Sequence, residues 1–171
     1  MKLHKKTSLL CYSALCAAMI FVFTAYFHVP SHTGYTHVGD AFLYLSACLL
    51  PPGYAAGAGA VGAGLADVLS GYAMWAPGTV VIKAVTALFF SCASPKIVTP
   101  RNLLALLPSW AVCIGGYYTY EALLTGNWVA PAAGIPGYIT QVALSSAVYI
   151  ALGLALEKIP AVKTIRAEIA A

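Results

Sequence analysis

Charged side chains are scarce in this chain. Asp, Glu, Lys and Arg make up 8% of its 171 residues, whereas 61% are hydrophobic and the mean hydropathy is +0.83. Soluble domains carry about 25% charged residues. The composition therefore predicts one integral membrane domain over residues 1–171. It also argues against nucleic-acid binding, because no basic patch with interleaved aromatic residues is present.

Motifs for catalysis, nucleotide binding and metal binding are also missing. The sequence contains no GxSxG and no HExxH, and the glycines of 55–64 are not followed by Lys-Ser/Thr. The five cysteines lie in apolar segments without CxxC spacing, which favours buried packing residues. His28 and His32 have i, i+4 spacing, but Pro30 between them argues against a helix. With His37 they are predicted to be loop histidines, so we expect neither an enzyme nor a metal or cofactor site.

Six apolar segments separated by Pro, Gly and polar residues are present. The first, 9–27, is about as long as the ~20 residues that span a bilayer, and no small-x-small cleavage site follows it. We interpret it as a membrane helix and not as a signal peptide. The fold class predicted is all-α, with six transmembrane helices at about 9–27, 38–50, 54–69, 77–91, 103–124 and 138–156.

Positive charge is distributed unevenly among the connecting segments. The amino terminus, the 94–102 loop and the carboxyl tail hold eight of the nine Lys and Arg residues. The loops at 28–37, 71–77 and 126–137 hold none. The positive-inside rule then predicts cytoplasmic termini for a multi-pass protein of the bacterial plasma membrane.

The stretch 34–83 concentrates the intramembrane charges. It contains Asp40, Asp67 and Lys83, and its Gly/Ala tract at 55–66 has no bulky residue except Val61 and Leu65. Small residues let helix backbones approach closely in lipid. Ionisable groups inside a bilayer are costly unless they are paired or used. We therefore expect this stretch to form the core of a site.

The predicted topology places these charges and Glu121 in the outer third of the membrane, where aromatic residues also gather. Tyr117 and Glu121 are four residues apart and share a helix face. The pattern predicts an outward-opening pocket for a small polar aromatic ligand. The candidate ligand-binding residues are Tyr35, His37, Asp40, Asp67, Tyr72, Lys83, Tyr117, Glu121, Trp128 and Tyr138.

Structural explanations stand beside the functional one. Asp67 and Lys83 are equally interpretable as an ion pair between the third and fourth helices. Asp40 suits a helix amino terminus, where the dipole favours an acid. Tyr72 and Trp75 suit an aromatic belt at the membrane interface.

Three blocks of sequence indicate a family: Thr36 to Phe42, Leu65 to Asp67, and Ser70 to Tyr72 with Pro77 through Lys83. They resemble the substrate-binding S components of energy-coupling factor (ECF) vitamin transporters, and the size and helix count agree over essentially the whole chain. Ala14 and Ala18 match the AxxxA motif with which this family docks the transmembrane T subunit. The amino terminus lacks the Met-His arrangement of nickel and cobalt members.

The resemblance implies vitamin capture from outside, with the first loop as a lid. It also implies association with a T subunit and two cytoplasmic ATPases. Three acids and one base in the predicted pocket argue against folates and phosphate esters. They favour a pyridoxine-like compound or the hydroxymethylpyrimidine of thiamine, and riboflavin stays open. The alternatives are a stand-alone proton-coupled transporter using Glu121 or Asp67, and a structural membrane protein.

Overall fold

The computed structural model describes the backbone of residues 2–30 and 34–170, and the side chains of 6–30, 34–167 and 169. The described residues form eight α-helices, one short 3-10 helix and one hairpin. The helices are α1 (Lys2–Ala25), α2 (Gly39–Leu49), α3 (Pro52–Leu69), α4 (Ala76–Ala87), α5 (Pro100–Leu104), α6 (Leu106–Thr125), α7 (Ile135–Leu156) and α8 (Pro160–Ala170). The hairpin pairs β1 (His28–Pro30) with β2 (Tyr35–His37), and the 3-10 helix is Ala130–Gly134.

The small residues of α3 bring it against α1 and α4. A Cβ added at Gly62 would lie 2.5 Å from the Ala17 carbonyl oxygen of α1. One added at Gly59 would lie 2.4 Å from Leu43 of α2. The Gly/Ala tract therefore serves close packing of helix backbones, as its composition predicts.

Helix α2 is the most deeply buried element and lies between α1, α3, α4 and α7. Its first residue, Gly39, has no room for a side chain, because a Cβ there would lie 1.9 Å from Thr24 Oγ1. Further along α2, the ring of Tyr44 packs against the rings of Phe90 and Tyr149, with centroid separations of 5.0 and 6.0 Å. This packing fixes the start of α2, which carries Asp40.

The helix bounds follow the Pro and Gly punctuation, but three segments differ from expectation. The predicted 28–37 loop contains the hairpin, in which Pro30 lies at a strand end opposite Tyr35; its tip, with His32, is outside the described residues. The predicted 103–124 helix is two helices, because Thr99 caps the Asn102 amide and starts α5 early at Pro100. The basic tail forms α8, whose Arg166 is buried.

Within the described residues, two helices are long and apolar enough to cross a membrane, over Lys6–Ala25 and Ala130–Leu156. The apolar helices Gly39–Leu49 and Ala76–Ala87 are shorter. The described structure is thus an all-α bundle with membrane-compatible helices. Six spanning helices and cytoplasmic termini stay predictions.

Candidate ligand-binding site

A buried ion pair joins α2 to α4. Lys83 Nζ lies 2.6 Å from Asp40 Oδ1, and Gln141 Nε2 donates to Asp40 Oδ2 at 2.8 Å. The Lys83 ammonium also lies 5.1 Å from the centroid of the Tyr117 ring. The expectation that Lys83 pairs with Asp67 is therefore wrong. The first turn of α2, held against α1 by Gly39, places Asp40 next to Lys83 instead.

Asp67 on α3 has a different partner. Tyr35 Oη, from β2, donates to Asp67 Oδ1 at 2.5 Å. Asp67 Oδ2 is buried and receives no hydrogen bond from the part of the chain that the structure describes. The Tyr35 ring packs on Tyr72, with a centroid separation of 4.7 Å. Tyr35 thus attaches the hairpin to α3 through one hydroxyl–carboxylate bond and an aromatic contact, and two longer bonds of 3.5 Å, from Thr36 Oγ1 to the Gly137 carbonyl and from Ser145 Oγ to the His37 carbonyl, join it to α7.

A small cavity lies between the hairpin and the helices. Its volume is about 30 Å³, room for about one water molecule, whereas pockets that enclose small organic ligands measure about 300–1,000 Å³. A heteroaromatic ligand therefore fits only if a lining element moves. The lining residues are Gly34, Tyr35, His37, Asp67, Trp75, Thr79, Tyr117, Tyr138 and Gln141.

A larger cavity of about 630 Å³ lies near α8, and its lining includes Lys96, Glu157, Lys163 and Arg166. Two other cavities, of about 720 and 540 Å³, have no Asp, Glu, Lys or Arg in their linings. Near α8, Glu157 and Arg166 are bonded to the backbone. Glu157 Oε1 accepts from the Ile97 and Val98 amides, and Arg166 donates to the Cys48 carbonyl. The chemistry therefore points to the smaller cavity as the ligand site.

Glu121 contacts the wall of the cavity through Tyr138 and does not line the cavity itself. It is 2% exposed and accepts a hydrogen bond from Tyr138 Oη at 3.1 Å. The Tyr138 ring stacks on Tyr117, with centroids 5.5 Å apart and planes at 21°. Thr79 Oγ1 lies 3.1 Å from Tyr117 Oη on the other side. The expected Tyr117–Glu121 face is present, although Glu121 itself does not line the cavity.

Five of the ten expected residues line the cavity, four others contact lining residues, and one lies outside. The lining ones are Tyr35, His37, Asp67, Tyr117 and Tyr138, and those in contact with them or with Gln141 are Asp40, Tyr72, Lys83 and Glu121. Trp128 is 55% exposed and contacts Tyr118, away from the cavity lining. Tyr72 contacts the cavity only through Tyr35, whereas Trp75 is buried and lines it directly. An interface belt therefore does not describe Trp75.

Four lining residues, Gly34, Trp75, Thr79 and Gln141, were not among the candidates. A signal for Gln141 exists, since an amide within the apolar 138–156 segment needs a polar partner. That partner is Asp40.

His37 links the hairpin to α2. Its Nδ1 accepts a hydrogen bond from the Gly39 amide at 3.1 Å. Burial lowers the pKa of His37 to about 4, with Lys83 and His28 adding to the effect and Asp40 opposing it. His37 is therefore a neutral imidazole whose acceptor nitrogen is already hydrogen-bonded within the protein, which indicates a structural role. Among the described residues no cluster of three His, Cys, Asp or Glu side chains is placed to hold a metal ion.

The outer surface of α1 presents the Ala14 and Ala18 motif. Both alanines are exposed, whereas Ile20 and Thr24 on the opposite side are buried against the bundle. The neighbouring Leu15 and Met19 are also exposed. The small-residue face is therefore unobstructed by the described part of this chain.

Comparison with known proteins assigns the chain to a family. The family model of the ECF-type riboflavin transporter S component matches residues 4–158. The chain belongs to this family. A curated relative from Pyrococcus woesei, described as an "uncharacterized protein in gap 3'region", is 34% identical over 99 residues. That match covers 57% of this S component and 66% of the relative, less than two thirds of its length. The family is one of transporter components and not of enzymes.

Proposed function

We propose that this S component captures a small heteroaromatic vitamin or vitamin precursor from outside the cell at the cavity between the hairpin and α3, α4, α6 and α7. A T subunit and two ATPases then drive uptake. The observation that supports this most strongly is Asp67, a buried carboxylate that faces the cavity with one oxygen unsatisfied. A buried polar atom without a partner is unusual in a folded protein and calls for an explanation.

The walls of the cavity suit a planar ligand. Tyr117 and Tyr138 are stacked on one another, and Trp75 meets Tyr117 edge-on with a centroid separation of 6.1 Å. Aromatic side chains of this kind provide stacking surface, while a few polar groups orient the ligand. This matches the candidates named from the sequence: a pyridoxine-like compound, the hydroxymethylpyrimidine of thiamine, or riboflavin.

The charges disfavour anionic ligands. Lys83, the cation nearest to the cavity among the described residues, is already bonded to Asp40. Asp67 therefore faces the cavity without a direct cationic partner. A phosphate ester or a folate would bring further negative charge to a buried carboxylate, which is unfavourable in a low-dielectric setting.

Access to the cavity is proposed to go through the hairpin. Gly34, Tyr35 and His37 supply one side of the lining, and Tyr35 contacts the bundle through Asp67. Moving Tyr35 breaks one hydrogen bond and an aromatic contact, and the bonds of Thr36 and His37 to α7 are long, at 3.5 Å, so opening the hairpin is a smaller change than moving a packed helix. The hairpin is thus the element expected to open for the ligand.

The test separates binding from uptake. The Ala14→Trp, Ala18→Trp double variant should bind ligand normally but lose uptake, because bulk on this face prevents close approach of a T-subunit helix. Leu107→Trp, at an equally exposed position on α6, is the matched control and should retain uptake. The ligand is first identified by mass spectrometry of small molecules that co-purify with the detergent-solubilised protein. Normal uptake by the double variant contradicts the docking face.

A proton-coupled transporter acting alone is the second candidate, because Asp67 and Glu121 are buried carboxylates without a lysine or arginine bonded to them among the described residues. It predicts uptake in cells that lack the ATPases, abolished by a protonophore. ATPase-dependent uptake that survives a protonophore supports the S-component function instead.

A further inference from the structure

Asp67 differs from the other carboxylate of the cluster in how its oxygens are used. Asp40 has both oxygens engaged, one by Lys83 and one by Gln141. Asp67 has only Oδ1 engaged, by the Tyr35 hydroxyl. Asp67 is 4% exposed. Within one site, the same side-chain type is fully satisfied at one position and half-satisfied at the other.

Few hydrogen-bond donors are available to Asp67 Oδ2 among its described neighbours. Lys83 is committed to Asp40. The Thr79 hydroxyl lies 3.1 Å from Tyr117 Oη, and either oxygen is able to donate in that bond, so it does not by itself occupy the Thr79 hydrogen. By distance and angle, however, no described group, Thr79 included, donates to Asp67 Oδ2. The free oxygen therefore faces a cavity whose other walls are mainly aromatic.

Tyr35 occupies the place that a ligand needs. The cavity holds about 30 Å³ with Tyr35 in it, so an aromatic ring fits only after the Tyr35 side chain moves away. When Tyr35 leaves, Oδ1 loses its donor as well. The two oxygens of Asp67 then stand side by side, open to a ligand that stacks against Tyr138, Tyr117 or Trp75.

We infer that Asp67 binds an edge of the ligand that carries two adjacent N–H donors, namely an amino group beside a protonated ring nitrogen on a heteroaromatic ring. This inference rests on the proposed function and selects among its substrates. A carboxylate accepts two parallel N–H bonds in a favourable planar geometry. A protonated aminopyrimidine offers that edge, taking its ring proton from solvent. An imide such as that of riboflavin offers one N–H between two carbonyl oxygens, which a carboxylate repels.

The test uses two pyrimidines that differ at this edge. The amino probe is 4-amino-5-hydroxymethyl-2-methylpyrimidine, and the oxo probe carries an oxygen in place of the amino group. Calorimetric titration of the purified full-length protein should show tighter binding of the amino probe by about tenfold or more. Asp67→Asn should weaken binding of the amino probe and remove the preference, because an amide offers one donor and one acceptor and so matches either probe, but it does not accept two N–H bonds. Asn127→Ala, in an exposed turn away from the cavity, is the control and should keep the wild-type order.

A second variant covers the case in which Asp67→Asn does not fold. Tyr35→Phe removes the internal donor that competes for Oδ1, so the amino probe should bind several-fold more tightly. Unchanged or weaker binding by Tyr35→Phe contradicts the displacement of Tyr35.

Failure of this inference is distinguishable from failure of the proposed function. Equal affinity for the two probes in wild type and in Asp67→Asn overturns the role of Asp67. Binding of riboflavin or pyridoxine with neither pyrimidine bound overturns the amino-edge assignment and leaves vitamin capture intact. If all four compounds fail to bind and no small molecule co-purifies, both the inference and the proposed function fall.

Discussion

The molecule contains two buried polar clusters that use their hydrogen bonds differently. The outer cluster surrounds the cavity and includes Asp40, Asp67, Lys83, Glu121 and Gln141. The inner cluster, at the opposite end of α2, consists of Asn102, Glu157 and Arg166. The side chains of both clusters are almost entirely buried or are hydrogen-bonded within the protein, so burial alone does not distinguish the two clusters.

The inner cluster bonds mainly to the backbone. Asn102 Nδ2 donates to the Ser91 and Ile97 carbonyls at 3.0 and 3.1 Å, and its Oδ1 accepts from the Ser91 amide at 3.0 Å. Glu157 Oε1 accepts from the Ile97 and Val98 amides at 2.6 and 2.8 Å. These side chains satisfy backbone groups in the irregular segment between α4 and α5, which has no regular helix bonds of its own.

The outer cluster bonds mainly side chain to side chain. Tyr35 bonds Asp67, Gln141 bonds Asp40, and Tyr138 bonds Glu121. A ligand can replace a side-chain partner without unfolding the chain, whereas a backbone partner is not exchangeable in this way. The difference indicates that the inner cluster stabilises the fold and that the outer cluster is available for binding.

The largest effect is expected from Lys83→Met in the outer cluster. It leaves Asp40 buried without its cation, and removing one member of a buried ion pair destabilises by about 3–5 kcal/mol. Thermal melts of the detergent-solubilised protein measure this, with the exposed Lys96→Met as control. The double variant with Asp40→Asn should recover most of the stability. If the double variant does not recover stability, Lys83 has a further role besides neutralising the charge of Asp40.

Asn102→Ala tests the inner cluster. It removes the partner of three Ser91 and Ile97 backbone groups, and an unsatisfied buried group costs about 1–3 kcal/mol. We expect a total loss of about 3 kcal/mol with unchanged ligand affinity in the folded fraction. Asn127→Ala, in an exposed turn, is the control. A loss of affinity matching the loss of stability contradicts the division between the two clusters.

The pH dependence of stability should reveal His37. Its pKa is about 4 in the folded protein and about 6.5 in the unfolded chain, so protonation favours unfolding. The stabilisation is complete above pH 6.5 and is lost as the pH falls through 4, with about 2 kcal/mol gone by pH 5. Melts from pH 8 to 4 measure it. His37→Asn should flatten this part of the profile, and an unchanged profile contradicts the assignment.

The smallest change in stability is expected from Glu121→Gln. The amide oxygen still accepts from Tyr138, and no described lysine or arginine is bonded to the carboxylate. Stability should change by less than about 1 kcal/mol, whereas ligand affinity or its pH dependence should change because Tyr138 lines the cavity. Titrations from pH 5 to 9 measure the second effect. Unaltered affinity at every pH removes Glu121 from the site.

The fold was predictable where local chemistry decides it. Pro52 and Pro77 lie in the first turns of α3 and α4, and Gly126, with a φ of +65°, ends α6, as their residue types favour. The hairpin was not predictable, because strands of three residues carry too little alternation to recognise. Helix α8 was not predicted, because its charged residues suggested a basic tail, whereas Arg166 is buried.

The sequence predicted which charged residues belong to the site, but not which of them bond to one another. Intramembrane charge singled out Asp40, Asp67, Lys83 and Glu121, and all four belong to the outer cluster. Which acid meets Lys83 depends on how α2 and α3 are rotated about their axes, and that is decided by long-range contacts such as Gly39 against Thr24. Neighbours in sequence order therefore suggested Asp67, whereas packing selected Asp40.

Native mass spectrometry of three matched proteins tests the central claim most directly. Wild type, Asp67→Asn and Asn102→Ala are purified under identical conditions, and the mass of any bound small molecule is read from the intact complex. The two-cluster account predicts a bound heteroaromatic compound in wild type and in the folded fraction of Asn102→Ala, and its loss or replacement in Asp67→Asn. Retention of the same compound at the same occupancy in Asp67→Asn, together with its loss in Asn102→Ala, contradicts the account.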